Sequence, residues 1–240
     1  MIDDPAAFVR DNTAIERPAL VPEVALHLAS EVVPLWQATE ADLAETGLPP
    51  PFWAFAWAGG QALARFLLDR PEWVAGKRVL DFAAGSGVQG IAAALAGAAR
   101  VEATEIDRFA LAALALNAEA NGVALELRGA DVVGLSNPGP NPGPNPGPAP
   151  PWEVVLAGDV CYERPMAARV ARWLGDLARE GVIVLMGDPG RSYLPKSGLK
   201  RLARYAVRTS RELEDSDLRN AIVWQVTGEI AMPAEAGGPH

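Results

Sequence analysis

The chain has 240 residues, half of them hydrophobic and 21% charged, with a formal net charge of −9, the composition of one α/β domain plus a short extension. The acidic balance argues against non-specific nucleic-acid binding, which relies on phosphate neutralisation by Lys and Arg. The single cysteine, Cys161, excludes an intrachain disulfide framework and a cysteine-clustered zinc site, and it fits a reducing, cytoplasmic location.

Residues 1–48 are expected to form a helical N-terminal extension. Within 21–36, Val24, Leu28, Val32 and Leu35 recur at three- and four-residue steps. The acidic start MIDDPAAFVR is read as lacking the apolar run of a signal peptide. Pro49-Pro50-Pro51 interrupts the extension, the aromatic cluster Phe52, Trp53, Phe55 and Trp57 follows, and a helix is expected from about Gly60 to Leu68. From Lys77 the pattern is regular. Strands are predicted near 78–82, 100–104, 124–128, 153–158 and 181–187, and helices near 88–97, 108–121, 165–179 and 196–204. Two last strands, near 205–213 and 220–227, succeed one another without a helix. Such alternation implies a mostly parallel, doubly wound sheet whose final strand inserts antiparallel. No run is long and apolar enough to span a membrane. Residues 137–148 repeat Asn-Pro-Gly-Pro three times and read as a flexible insertion in a domain spanning 49–228, with 229–240 a disordered tail.

The segment Val79-Leu80-Asp81-Phe82-Ala83-Ala84-Gly85-Ser86-Gly87-Val88-Gln89-Gly90 ends a strand, turns on glycines and starts a helix. It matches G-x-G-x-x-G, so a nicotinamide or flavin cofactor must be weighed. Asp81 tilts the choice. A carboxylate there would repel a pyrophosphate at the next helix N-terminus, where anions bind, and would suit the cationic amine of S-adenosylmethionine. Glu105, ending the next strand, can accept both ribose hydroxyls of either cofactor. Asp131, after the third strand, can reach an adenine amine. No His, Cys or carboxylate cluster has metal-ligand spacing.

With these residues in place the chain resembles the class I methyltransferases, and more narrowly the seven-β-strand protein-lysine methyltransferases, over roughly residues 20–228. The resemblance rests on the run from Pro51 to Leu63, on Gly76 to Gly87, on Gly158-Asp159-Val160-Cys161-Tyr162 and on Gly187-Asp188-Pro189-Gly190-Arg191. It implies a Rossmann-like seven-stranded sheet and S-adenosylmethionine as cofactor. It assigns Asp81, Gly85 and Gly87 to the cofactor's methionine end, Glu105 to its ribose, and Trp57 to a position beside it. It makes Asp159 and Tyr162 the acid-x-x-aromatic pair by the acceptor lysine, with Asp159 also bordering the cofactor. Among such enzymes, those acting on the β subunit of electron transfer flavoprotein are most similar, which implies that subunit as protein substrate and a monomeric enzyme. The chain departs from the pattern in the Asn-Pro-Gly-Pro insertion, in Ala83-Ala84 where polar residues or glycine are expected, and in Cys161 where an aromatic is expected.

Asp81, Glu105, Asp131, Asp159 and Asp188 all fall at strand carboxyl ends, where open α/β sheets bind ligands. Methyl transfer needs chiefly an aligned, neutral amine. A carboxylate raises a lysine pKa, whereas desolvation by Trp53, Phe55, Trp57 and Tyr162 lowers it, and the sequence leaves that balance open. Methylation of a ribosomal protein or a small amine, a nicotinamide-dependent oxidoreductase and a binding-only protein stand as alternatives.

Overall fold

In the computed structural model the described residues are 2–29, 50–135, 152–209 and 216–232. The expected insertion at 137–148, residues 30–36 of the helix expected over 21–36, and 233–240 of the expected tail lie outside them.

Seven strands form one sheet: β3 (Arg78–Phe82), β4 (Arg100–Thr104), β5 (Glu126–Arg128), β6 (Val154–Gly158), β7 (Ile183–Asp188), β8 (Ser197–Arg208) and β9 (Leu218–Ala231). Their spatial order is β5-β4-β3-β6-β7-β9-β8. The first five are parallel, and β9 inserts antiparallel between β7 and β8, as the sequence implied. The central strands are buried on both faces, which is why they read as continuous apolar runs. Helices α2 (Ala58–Asp69) and α3 (Val88–Leu95) cover one face, and α5 (Arg164–Arg179) covers the other. The chain leaves β3 toward β4 and β5, then returns to place β6 on the other side of β3. That reversal opens a crevice at the carboxyl ends of β3 and β6.

Three expectations are corrected. No helix forms over 196–204; β8 occupies 197–208. Leu199, Leu202 and Tyr205 are spaced three apart, which mimics a helical stripe. Register shifts between Ser197 and Leu199 and between Arg201 and Ala203 explain it, because each extra residue breaks the strand's period of two. At the other end β9 runs to Ala231, so 229–231 belong to the sheet and not to a tail.

The third correction concerns the N-terminal extension. Its helix is α1 (Pro5–Asn12), capped by Asp4, and the next segments are the antiparallel strands β1 (Ala14–Glu16) and β2 (Leu26–Leu28). Residues 21–28 are therefore not helical. Pro18 and Pro22 interrupt helical hydrogen bonding, and side chains on α4 (Arg108–Ala120) and just beyond it take over the backbone. Asn121 accepts from the Ala25 N–H at 2.8 Å and donates to its carbonyl at 2.6 Å, while Asn117 accepts from the His27 N–H at 2.7 Å. Val21, Val24, Leu26 and Leu28 are buried against Ala64, Val88, Ile91 and Ala92. The described part of the extension is thus packed into the domain.

Candidate active site

At the carboxyl ends of the parallel strands lies a cleft of about 1170 Å³, more than a drug-sized ligand needs, so a cofactor and an acceptor side chain can share it. Glu105, Asp131, Asp159, Tyr162, Trp57 and Gly85 line it, and Asp81 and Gly87 do not.

The cofactor half is built on the turn after β3. Gly85 and Gly87 have φ of 54° and 79°, the left-handed region glycine enters without penalty. Gly87 caps α3, and a Cβ there would lie 2.6 Å from Leu114. Ala83 also has a positive φ, of 49°, where the family resemblance led us to expect a glycine or polar residue. Glu105 steadies the turn: its Oε2 accepts from the Gly85 N–H at 3.2 Å and its Oε1 from the Ile106 N–H at 2.8 Å. Burial raises its pKa, and it stays at the cleft wall with lone pairs to spare. Ile106, which the sequence reading passed over, projects from the same wall and is 77% exposed.

Asp81 stands behind the turn, fully buried. Its Oδ1 accepts from Gln89 Nε2 at 2.6 Å and its Oδ2 from the Gly90 N–H at 2.9 Å. Burial raises its pKa to about 7. Direct contact with the cofactor's amine is therefore not what the geometry offers; Asp81 holds the residues that line the cleft. Gly87 likewise shapes the turn from outside it. Asp131 sits exposed at the rim, ion-paired with Arg169, which holds its carboxyl below the ordinary range.

The half of the cleft around Asp159 joins three segments distant in sequence. Asp159 follows β6 directly and has φ of 56°, a strained backbone for a residue other than glycine. Its Oδ2 accepts from the Gly60 N–H at the start of α2 at 2.8 Å, and its Oδ1 from Arg191 Nη2 at 2.8 Å. Burial raises the Asp159 pKa to about 7, with Arg191 pulling it down and Asp188 pushing it up. The approach of α2 is possible only through glycine: a Cβ on Gly59 would lie 2.6 Å from Asp159 Oδ2. Arg191 lies over the Trp57 ring at 5.4 Å, and Trp57 donates its indole N–H to the Phe52 carbonyl at 2.8 Å. Asp188 is buried and lies off the cleft; its Oδ1 accepts from the N–H groups of Gly190 and Arg191, which aims Arg191 at Asp159. Tyr162 is 46% exposed at the mouth, its ring 5.5 Å from Phe52. Trp53 and Phe55 are buried beside them. Cys161 lies in the core against Met186.

The chemistry of this cleft fits S-adenosylmethionine. Gln89 Oε1 is buried and has no hydrogen-bond donor among the described residues, so a ligand bringing a donor is called for, and an ammonium brings one. Glu105 stands where ribose hydroxyls can be met, and an apolar wall follows at Ile106.

The description of the ribosomal protein L11 methyltransferase family matches residues 64–137. Over 230 residues the chain is 35% identical to the electron transfer flavoprotein beta subunit lysine methyltransferase of Danio rerio, covering 93% of this chain and 83% of that protein. The same enzyme of Homo sapiens is 34% identical over 226 residues, covering 91% of this chain and 80% of that protein. The chain belongs to the electron transfer flavoprotein β subunit lysine methyltransferase family. Membership makes it a methyltransferase with S-adenosylmethionine as cofactor and sets the nicotinamide alternative aside. Among solved structures, magnesium protoporphyrin IX methyltransferase of Synechocystis PCC 6803 with bound S-adenosylhomocysteine aligns at a TM-score of 0.48 and 14% identity, covering 70% of this chain and 80% of that one.

Sequence reasoning named Asp159 and Tyr162 but left Gln89 without a role and met Arg191 only as the end of a motif. The signal for Gln89 was a long amide inside an otherwise Ala/Gly/Val turn, eight residues from a buried acid.

Proposed function

We propose that this chain transfers a methyl group from S-adenosylmethionine to a lysine of the β subunit of electron transfer flavoprotein, with Asp159 and Tyr162 at the acceptor. Family membership supports the reaction and the substrate. The single observation that supports the acceptor position is Asp159, a buried carboxylate on strained backbone, walled by Tyr162, Trp57 and Arg191.

When bound, the cofactor supplies a methyl carbon activated by its sulfonium. The chain's own residues need to deliver a neutral amine in line with it. Each Asp159 oxygen accepts one hydrogen bond already and keeps a lone pair for the acceptor N–H. A proton affinity near neutrality suits Asp159 to hold the incoming ammonium and take its proton on a carboxylate oxygen. Arg191 offsets the negative charge that would otherwise stabilise the protonated lysine. Tyr162, with Phe52, narrows the mouth and excludes water around the lysine stem.

Methylation of ribosomal protein L11 is the second reading. The family model that suggests it matches only residues 64–137, and the L11 methyltransferase of Acinetobacter baumannii (strain SDF) covers 63% of this chain against 93% for the Danio rerio enzyme, so it is the weaker of the two. The test is incubation with methyl-labelled S-adenosylmethionine and, in parallel, the purified β subunit, protein L11 and free lysine. Label on a lysine of the β subunit is expected. Label on L11 with none on the β subunit overturns the substrate. Calorimetry showing NAD but not S-adenosylhomocysteine binding overturns the reaction.

A further inference from the structure

Gln89 Oε1 is a buried polar atom at the cleft that the reaction as described does not use. Gln89 is 2% exposed, lines the cleft on the second residue of α3, and its oxygen has no donor among the described residues. Leaving a buried amide oxygen without a donor costs about 1–3 kcal/mol, so its persistence in a packed site asks for a reason. Its orientation is not arbitrary. Asp81 Oδ1 lies 2.6 Å from the amide, and a carboxylate accepts only from the nitrogen, which turns the oxygen away from Asp81. The space it enters is kept open by glycine: a Cβ on Gly158 would lie 2.5 Å from Gln89 Oε1, and one on Gly60 would lie 3.9 Å from it. Gly60, Gly158 and Asp159 line the cleft there.

The amide N–H given to a buried carboxylate polarises the group and strengthens its oxygen as an acceptor. The N-terminus of α3 carries partial positive charge, so a cation can settle against it only where a side chain supplies negative potential. Gln89 backed by Asp81 does this.

We propose that Gln89 Oε1 receives the ammonium of the cofactor's methionine end, with Asp81 a positioning residue acting through the Gln89 amide. This rests on the reading of the cleft as an S-adenosylmethionine site.

The test is calorimetry with three ligands on the full chain: S-adenosylhomocysteine, its deaminated analogue lacking the ammonium, and 5′-methylthioadenosine, which lacks the whole amino-acid end. Gln89→Met keeps the length of the side chain and removes the oxygen. It should weaken S-adenosylhomocysteine about tenfold to hundredfold, the scale of a charged hydrogen bond, and leave the other two ligands within twofold. Asp81→Asn should show the same selectivity with a smaller loss. It decides the matter on its own if Gln89→Met does not fold. Equal losses for all three ligands would make the pair a prop for the turn, and unchanged affinity for all three would remove Gln89 from the site; either overturns the inference. Failure of the unmodified protein to bind S-adenosylhomocysteine would strike instead at the proposed function.

Discussion

The two halves of the cleft are built on different principles. On the cofactor side the polar contacts are near neighbours in sequence: Asp81 holds Gln89 and Gly90, eight and nine residues on, and Glu105 holds Ile106 and, twenty residues back, Gly85. On the acceptor side Asp159 is held by Gly60, 99 residues away, and by Arg191, 32 away, with Phe52 and Trp57 joining from the stretch just before Gly60. Both halves carry a buried Asp raised to about 7, and both carry a residue other than glycine at positive φ. A nucleoside can be held by one folded βαβ unit, whereas an acceptor pocket needs the whole sheet closed.

Replacing the acceptor carboxylate tests this division most severely. Asp159→Ala should cut single-turnover methylation about a hundredfold or more, the worth of a positioning group, while S-adenosylhomocysteine affinity by calorimetry stays within about threefold. Tyr162→Phe, which keeps the ring, should lose less than about tenfold. If cofactor affinity collapses with Asp159→Ala, the two halves are not separable. On the other side, Glu105→Ala should weaken S-adenosylhomocysteine about tenfold to hundredfold, and raising cofactor concentration should restore most of the turnover.

Acidity sharpens the contrast further. In the folded protein the Asp81 carboxyl titrates at about 7, against an ordinary 3.8. A bound ammonium favours the ionised form, so binding lowers that pKa and releases a proton. Affinity for S-adenosylhomocysteine should therefore fall several-fold as pH drops from 8 to 6, and Asp81→Asn should flatten the dependence. A pH-independent affinity in the unmodified protein would show that the charge of Asp81 does not reach the ligand.

The smallest effect concerns the strained Ala83. Ala83→Gly should raise the melting temperature by about 1–3 °C: relief of left-handed strain, about 1–2 kcal/mol, outweighs the entropy cost of glycine, about 0.5–1 kcal/mol, and about 1 kcal/mol moves a chain of this size by 2–4 °C. Activity should be unchanged. A lower melting temperature would mean that the Ala83 methyl packs.

This contrast also explains what could be read from the sequence. The strands, the glycine turn and Glu105 were legible because their partners lie within one periodic unit. Asp159 was placed by its position at a strand's carboxyl end, and Tyr162 only through the family's acid-x-x-aromatic spacing. The direct role expected for Asp81 was misplaced because nothing local shows that Gln89 stands between it and the cleft. The helix expected at 196–204 failed because bulges in β8 disguise a strand's period, and residues 21–28 failed because the groups that pin their backbone sit on and beside α4.

Those pins reach further than the extension. The buried Asn117 that accepts from His27 N–H also donates its amide to the carbonyl of Ser86, at 2.8 Å, inside the glycine turn. One side chain thus ties the strand carrying His27 to the loop beneath the ligand. Trimming the protein to a minimal catalytic fragment beginning near residue 50 would remove the Ala25 and His27 backbone groups from Asn121 and Asn117 and bare the apolar patch around Ile91. The loss would surface as a looser grip on the nucleoside, so the segment around Ala25 and His27 is a working part of the pocket floor.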